Sequence, residues 1–445
     1  MAKATLVAVA ATLVSFVLAD TLSAQGQTWY VSAARGKGKK GTKEEPAKDL
    51  GTIASQVKAG DTICVAAGNY LGKSECGVDK FEVPVRILGG FSDDFSTRDP
   101  WGQHKTVLSG DNKNKNFDGA ARLTINASSA KAGDEVLVDG VLIDNGGRNH
   151  YDKDKGLKIV RMANPTTGAN ATPDTQGIHV LLGEGSKCTI QNCVVTNCAP
   201  SGLTGAIHVH AMEKCTTTIR NNLVANNTGT GIQLTYGGAA KEGPTLPQFT
   251  VNENSILFCW LFEPSASHGG SALKMDGGAV VNAASNVFAF CDQYAVDNAR
   301  RSKGLTLKDN LFGSCGLADY LEFGTKIAFK DLEDNAECLA KETGGNVQNK
   351  LELNLDPQWA VGFAARTLVD RAKAEAGSKV ENTVENQLRA MFGMNLKGTA
   401  VDLSSEVWLH RIKLEHAIAC GSQKQSGKFG CQSPSAATAP AQPGR

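Results

Sequence analysis

Six four-residue segments of the sequence resemble one another, and most of the side chains that could take part in catalysis occupy one shared position in these tetrads. We call the residues that share a position in the repeats a column. The tetrads begin at Gly177, Ala206, Gly231, Ala272, Ala295 and Tyr320. The column reads His179, His208, Gln233, Lys274, Asp297 and Glu322. A second column two residues later contains His210 and Asp276, Tyr236 ends the third tetrad's strand, and Arg300 and Arg301 follow at a turn.

These groups could supply both a cation and a base. Lys274, Arg300 and Arg301 are candidates for stabilising negative charge on a substrate. The candidate bases are His208, His210, Lys274 and Tyr236. Asp276 could hold Lys274 in its charged form, which would favour binding over proton abstraction.

We therefore predict two sets of site residues. The predicted catalytic residues are Lys274, His208, His210 and Arg300. The predicted substrate-binding residues are His179, Gln233, Tyr236, Asp276, Asp297, Arg301 and Glu322. The alternative is a solvated polar face, which any half-buried strand presents.

The tetrads alternate apolar and polar residues, so each predicts a strand with one buried face. A second short repeated motif follows most of the tetrads, and aligning its copies gives three further columns. The first contains Asn222, Asn254, Asn286 and Asn310, with Cys193 in the first coil. The next contains Val195, Val224, Ile256, Phe288 and Phe312, and the last contains Cys198, Asn227, Cys259, Cys291 and Cys315.

A unit that recurs every 20–50 residues or so marks a solenoid or a propeller. The aromatic signature of propeller blades is missing from the sequence. Columns of similar residues instead favour a parallel β-helix, in which each side chain sits on its counterpart in the next coil. Asn in a turn column would form a ladder of amides and tolerate left-handed backbone.

Composition narrows the function classes. The chain has 445 residues and a formal net charge of +1, with an isoelectric point near 7.5. This balance gives no electrostatic argument for nucleic acid or a membrane surface as partner. Residues Met1 to Ala24 combine Lys3, an apolar run and small residues, which predicts a signal peptide, and no later segment is apolar enough to span a bilayer.

Export would make the 12 cysteines candidates for disulfides. Cys64 with Cys76, and Cys420 with Cys431, are close in sequence and could pair. The repeat column of cysteines is either a buried stack of small apolar side chains or a set of bridges between coils. No Cys-x-x-Cys or His-x-x-x-His pair suggests a metal site.

The N-terminal region carries a basic loop from Arg35 to Lys43, an amphipathic segment around Ile53–Val57 and the run Ala59 to Tyr70. We interpret the loop as solvated and the segment as a helical cap over the open end of the solenoid. The phrases Ile87-Leu-Gly-Gly-Phe, Arg98-Asp-Pro and Val107-Leu-Ser-Gly-Asp then follow. Together they resemble the opening of secreted right-handed parallel β-helix proteins of the pectate-lyase-like superfamily, in particular bacterial surface proteins.

This resemblance covers residues 28–330 and implies the fold more than an activity, because the superfamily contains lyases, hydrolases, epimerases and adhesins. It implies sugar binding along the first sheet of the helix, where the polar column lies. The hydrolase set Asn-Thr-Asp, Asp-Asp and Gly-His-Gly, the clustered calcium-binding aspartates and the epimerase motif Asp-Pro-His are not found. Trp260 and Phe262 could stack on sugar rings or anchor a loop.

The sequence thus predicts an all-β, right-handed parallel β-helix with a helical N-terminal cap and a partly helical C-terminal cap. We expect a signal peptide (1–24), a cap with first coils (25–135), the main coils (136–330), C-terminal coils and cap (331–432) and a disordered tail (433–445). The predicted partner is polysaccharide or cell-surface glycan, and the location is secreted, periplasmic or cell surface. Alternatives are a lyase for uronate-containing glycan, favoured over a glycoside hydrolase, and a non-catalytic adhesin or stalk; no cofactor is evident, with calcium left open.

Overall fold

The structure is a computed structural model. It describes residues 26–72, 77–111, 121–152, 156–158, 162–163, 170–171, 175–200, 204–239, 242–261, 269–300, 302, 304–313, 315–349, 351, 353 and 411–438. The predicted signal peptide, Cys76, Phe262 and Arg301 lie outside these ranges. So do His268, which could join the polar columns only if its loop folds back, and the two segments of helical composition that we assign to the C-terminal cap, 366–377 and 380–392.

The chain winds into a right-handed parallel β-helix, as predicted, and each coil adds one strand to each of three sheets. The first sheet contains β4 (Asp79–Phe81), β8 (Leu123–Ala127), β15 (Ile178–Leu182), β18 (Gly205–Ala211), β21 (Thr230–Tyr236), β24 (Ser271–Asp276), β27 (Tyr294–Asn298), β30 (Ala318–Glu322) and the antiparallel β31 (Thr325–Ile327).

The second sheet contains β1 (Thr28–Val31), β2 (Thr62–Ala66), β5 (Arg86–Phe91), β9 (Glu135–Asp139), β16 (Lys187–Gln191), β19 (Thr216–Arg220), β22 (Gln248–Asn252), β25 (Val280–Ala284) and β28 (Leu305–Lys308). In addition, β6 (Thr97–Arg98) pairs with β5, and β33 (Ala437–Thr438) pairs with β6. The third contains β3 (Gly68–Tyr70), β7 (Thr106–Leu108), β10 (Val141–Asp144), β17 (Val194–Thr196), β20 (Leu223–Thr228), β23 (Ser255–Trp260), β26 (Val287–Ala289), β29 (Leu311–Phe312) and β32 (Val347–Gln348).

Short elements complete the chain. They are the hairpins β11 (His150–Asp152) with β12 (Gly156–Lys158) and β13 (Met162–Ala163) with β14 (Asn170–Ala171), the helices α1 (Leu50–Ile53), α2 (Leu332–Asn335) and α3 (Leu414–Gly421), and the 3-10 turns Asn145–Gly147 and Phe329–Asp331.

The core consists of stacked apolar columns inside the coils. In the first sheet Ile178, Ile207, Ile232, Leu273 and Val296 follow one another in register, each with 0% exposure. The third sheet contributes the predicted column from Val195 to Phe312. Each new coil therefore buries its inner side chains on those of its neighbour, which is how a solenoid obtains its stability.

The predicted asparagine ladder runs along the inner corner between the second and third sheets. The Asn222 amide Nδ2 donates to Asn254 Oδ1 at 2.9 Å, and the same bond repeats from Asn254 to Asn286 and from Asn286 to Asn310. Asn346 adds a fifth member, at 3.0 Å from Asn310. Each Nδ2 also donates to a strand carbonyl, so the buried amides are well satisfied.

At this corner the left-handed backbone conformation is adopted by the residue that precedes each ladder residue. We had predicted it for the ladder residues themselves, and that prediction is wrong. Positive φ angles are found at Asn192 (53°), Asn221 (51°), Glu253 (57°), Ser285 (55°) and Asp309 (54°). The ladder residues are not among them. Their side chains instead stabilise the corner by accepting a backbone N–H from the adjacent coil.

No disulfide joins two of the described cysteines, so neither the candidate Cys420–Cys431 bridge nor the candidate bridges between coils form. Cys198, Cys259, Cys291 and Cys315 are buried, as expected of a stack of small apolar side chains. Burial raises the pKa of the Cys291 thiol well above its ordinary value, and the hydrogen bond with Cys291, together with burial, does the same for Cys315. Cys420 and Cys431 lie close in the fold, but the Cys431 thiol donates to the carbonyl of Gly421 at 3.1 Å.

Short caps cover both ends of the described coils. The N-terminal helix is α1, which ends at Ile53 where the sequence predicted a helix to begin; Asp49 caps it, and Leu50 and Ile53 are fully buried. At the other end the antiparallel β31 and helix α2 close the first sheet, and Leu332 is 1% exposed.

Residues 411–438 lie along the outside of the helix rather than across its end, and Ala437 and Thr438 pair with β6. The disorder predicted for residues 433–445 stays a prediction. Arg411 contacts Asp144 at 2.8 Å, and Lys428 contacts Asp309 at 2.8 Å. β33 then pairs with β6 near the N-terminus. Apolar residues on the outside of the third sheet require this cover, because Leu223 and Val287 pack against the segment.

Candidate functional site

The outer face of the first sheet gathers the predicted polar columns. His179, His208, Gln233 and Lys274 lie opposite one another in the register of adjacent strands, and Asp297 follows Lys274. The second column aligns Leu181, His210, Thr235 and Asp276. We call these two columns, with their continuation in β4 and β8, the outer strip.

The Asp276 carboxylate is the centre of the predicted site. It accepts a hydrogen bond from Gln233 Nε2 at 2.6 Å and lies 3.3 Å from Arg300 Nε and 3.8 Å from Lys274 Nζ. The side chains of Asp276 and Lys274 are 17% and 14% exposed, whereas that of Arg300 is 72% exposed. Three predicted residues thus converge on the carboxylate of a fourth, Asp276.

Two histidines stack beside this cluster. The rings of His179 and His208 are nearly parallel, with centroids 4.8 Å apart. His208 Nε2 lies 3.0 Å from Thr235 Oγ1, and its Nδ1 is buried without a hydrogen-bond partner. Burial, with repulsion from His210, lowers the pKa of His179 to about 4. Burial, with the charges of His179, His210 and Lys274, lowers the pKa of His208 to about 3.

His210 belongs to the second column of the strip, and Tyr236 lies at the corner beyond that column. A Cβ atom on Gly237 would come within 2.1 Å of His210 Nε2, so glycine leaves room for the imidazole there. The Tyr236 hydroxyl donates to Glu213 Oε1 at 2.9 Å, and the residue is 8% exposed. Its phenol is therefore engaged in the fold rather than presented on the strip.

The predicted register is wrong in the last coil. Val296 pairs with Tyr320 and Asp297 with Leu321, so Leu321 takes the outer position that we had assigned to Glu322. Glu322 is 4% exposed and accepts from the backbone N–H groups of Glu337 and Cys338 at 2.8 Å. The shift places the Tyr320 ring in the core, and its hydroxyl donates to Glu322 Oε1 at 3.0 Å.

Asp297 stays on the predicted column but is 9% exposed, and its carboxylate accepts from the Ala299 N–H at 3.1 Å. Trp260 is 1% exposed and donates to Asn226 Oδ1 at 3.0 Å, so it anchors its loop instead of facing sugar. Among the described residues, no three of His, Cys, Asp or Glu lie together as a metal site. A calcium requirement stays a prediction.

Sequence reasoning missed two coils of the strip. Thr124 pairs with both His179 and Lys80, and Asn126 pairs with Leu181 and donates to Glu82 Oε2 at 2.7 Å. The coils that contain β4 and β8 lack the repeated motif by which the other coils were aligned. The sequence feature that could have revealed them is the alternation of outward- and inward-facing residues from Lys80 to Glu82 and from Thr124 to Asn126.

The arrangement suits binding better than proton abstraction. A base works best when its pKa is near the working pH, and a pKa near 3 makes His208 a weak base. The neutral imidazoles, the Gln233 amide and the Thr235 hydroxyl are instead suited to hydrogen bonding. Lys274 and Arg300 add charge, but both face the Asp276 carboxylate.

The histidine pair should make stability depend on pH. Since the folded-state pKa values lie below the usual value near 6.5, the unfolded chain binds more protons and stability falls as pH drops from about 6.5 towards 4. Each ring should cost about 1–2 kcal/mol at pH 5. Urea unfolding at pH 7 and pH 5 would show a smaller loss in a His179→Gln, His208→Gln double variant, and equal losses would contradict the effect.

Comparisons with known proteins agree with the fold. Residues 105–312 match the family model described as right handed beta helix region, and no curated protein matches the chain. Pectate lyase Pel9A is 11% identical with a TM-score of 0.39, covering 75% of this chain and 84% of that one.

Two further solved structures are less similar. XylC in complex with xylose is 10% identical with a TM-score of 0.24, covering 66% of this chain and 70% of that one. A GH136 lacto-N-biosidase from Eubacterium ramulus is 10% identical with a TM-score of 0.26, covering 68% of each chain. Similarities this low say nothing about activity.

In the part of the chain that the structure describes, no helix is long and apolar enough to cross a membrane. The chain is a right-handed parallel β-helix whose first sheet carries an outer strip of paired charges, amides and neutral histidines.

Proposed function

We propose that this is an exported or cell-surface protein that binds a glycan along the outer strip, with no reaction assigned. The observation that carries the proposal is the convergence of Gln233, Lys274 and Arg300 on Asp276. The expectation of export rests on the signal-like composition of residues 1–24.

A rigid array of this kind is suited to a repeating ligand. Strands of adjacent coils are about 4.8 Å apart, so the strip offers polar groups at regular intervals. Side chains held by mutual contacts lose little conformational freedom on binding, which favours affinity. Sugar hydroxyls can both donate to Asp276 and accept from Lys274 or Gln233.

A uronate lyase is the second candidate, because two cations lie beside two histidines on one strip. Its base would be His208, His210 or Lys274. Against it stand the low pKa of His208 and the pairing of both cations with Asp276. A stalk without any ligand is the third candidate, and it would leave the strip merely hydrated.

Replacing Lys274 tests the proposal. We expect Lys274→Ala to weaken binding of a captured oligosaccharide by about tenfold to a hundredfold, since it removes one charged hydrogen-bond donor. Lys308→Ala is the matched control, because Lys308 is an exposed lysine on the second sheet. Binding is measured by calorimetry against a panel of neutral and uronate glycans, with and without calcium.

The same mixtures are followed by ultraviolet absorbance for the unsaturated product of β-elimination. A rise that Lys274→Ala removes would support the lyase. Equal binding by wild type, Lys274→Ala and Lys308→Ala would rule out the strip as the binding site, and no binding to any glycan would favour the stalk.

A further inference from the structure

We infer that the bound glycan is uncharged, and that its chain extends from the Asp276 cluster to a second contact region around Thr124. This inference rests on the proposed function and gives that site its ligand class and its length. Three features of the outer strip carry it: the register, the charge and the shape beside the histidine pair.

The observed strand register extends the strip at its N-terminal end, beyond the six predicted tetrads. From Lys80 in β4 to Lys274 in β24, consecutive coils are paired without a break. Five steps between coils correspond to about 24 Å. The coil spacing is comparable with the length of one sugar unit in an extended chain, so the strip has room for several units.

The charges of the strip cancel. Counted with Glu82 and Arg300, which flank the columns, its described residues comprise three cations and an equal number of carboxylates: Lys80, Lys274 and Arg300 with Glu82, Asp276 and Asp297. Lys80 Nζ lies 2.6 Å from Glu82 Oε1, and the Asp276 carboxylate is the counter-ion of both Lys274 and Arg300. Such cations have little attraction left for a substrate carboxylate, which would also meet repulsion from Asp276.

Several other polar groups of the strip, His179 and His208 among them, are uncharged at neutral pH. His179 and His208 keep their rings neutral because protonation would cost desolvation and repulsion. Thr124, Asn126 and Gln233 offer hydroxyl and amide groups. Groups of this kind match the hydroxyls of a neutral sugar, whereas a uronate would leave its charge without a free partner.

A notch beside His179 provides the second contact. One face of the His179 ring stacks on His208, so the opposite face is directed at Thr124 in the preceding coil. Threonine is much smaller than an imidazole, and the next residue of the column is the exposed Lys80. A sugar ring can therefore stack on the free face of His179 over the floor that Thr124 and Asn126 form.

The test compares two matched ligand series on the full chain. One series is a neutral β-linked hexose oligomer of two to six units, and the other is the same series with C6 oxidised to carboxylate. We expect the neutral hexamer to bind about tenfold more tightly than the neutral trimer. Raising the salt from about 50 to 500 mM should change its Kd less than twofold.

Filling the notch should remove the gain from chain length. Thr124→Phe should bind the neutral hexamer no better than the trimer, while Thr250→Phe, at a half-buried outward position on the second sheet, should keep the difference. A Thr124→Phe variant that keeps it would overturn the second contact.

Tighter binding of the oxidised series, with a strong loss at high salt, would overturn the inference of an uncharged ligand and leave the proposed function standing. If neither series binds, the proposed function itself is wrong, and the inference falls with it.

Discussion

Replacing Asn254 by alanine should lower the free energy of unfolding by about 4 kcal/mol. The side chain is fully buried and accepts from both the backbone N–H and the Nδ2 of Asn222, at 3.0 and 2.9 Å. Its own Nδ2 donates to the Ile219 carbonyl and to Asn286. Alanine would leave several buried donors and acceptors without partners, each costing about 1–3 kcal/mol.

Asn282→Ala is the control, because Asn282 is exposed on the outer face of the second sheet. It should change the unfolding free energy by less than about 0.5 kcal/mol. Urea unfolding of the two variants measures the difference. Equal midpoints would show that the ladder follows the fold without stabilising it.

Replacing Arg122 by methionine should cost about 3–5 kcal/mol, because it would leave a buried carboxylate without its counter-charge. Arg122 and Asp79 have 0% side-chain exposure, and their charged groups are 2.7 Å apart. Arg122 also donates to the carbonyls of Tyr70, at 2.7 Å, and Ser109. The pair thus joins β3, β4 and β8 across the first coils.

Two comparisons isolate this effect. The double variant Asp79→Leu with Arg122→Met should recover most of the lost stability, since an apolar pair can replace a buried ion pair at little cost. Arg86→Met removes an exposed pair, 3.8 Å from Glu135, and should cost less than about 1 kcal/mol. Equal losses in Arg86→Met and Arg122→Met would contradict the role of burial.

Residues of the N-terminal segments that resemble the opening of β-helix proteins hold the coils together. Arg98 donates to the Gly89 carbonyl at 2.7 Å and pairs with the Asp139 carboxylate at 2.7 Å. A Cβ on Gly140 would come within 2.5 Å of the Arg98 guanidinium. Such motifs indicate the fold but not the activity, because their residues hold adjacent coils together and lie away from the outer strip.

The repeated columns made the fold and five members of the first polar column predictable. Each coil repeats the same short motif, so His179, His208, Gln233, Lys274 and Asp297 could be aligned from the sequence alone. The same reasoning failed at Glu322, where no local pattern reveals that Tyr320 enters the core and moves the register by one residue. It also missed Thr124 and Lys80, whose coils do not repeat the motif.

By itself, the sequence determined the parallel β-helix, the asparagine ladder and the outward placement of the polar columns, since alternation within a strand and repetition between coils suffice for these. Only the tertiary structure decided which charges neutralise one another on Asp276, which histidines stack, and that residues 411–438 cover the third sheet. Those outcomes depend on distances between side chains and on desolvation, and segments far apart in the chain set both.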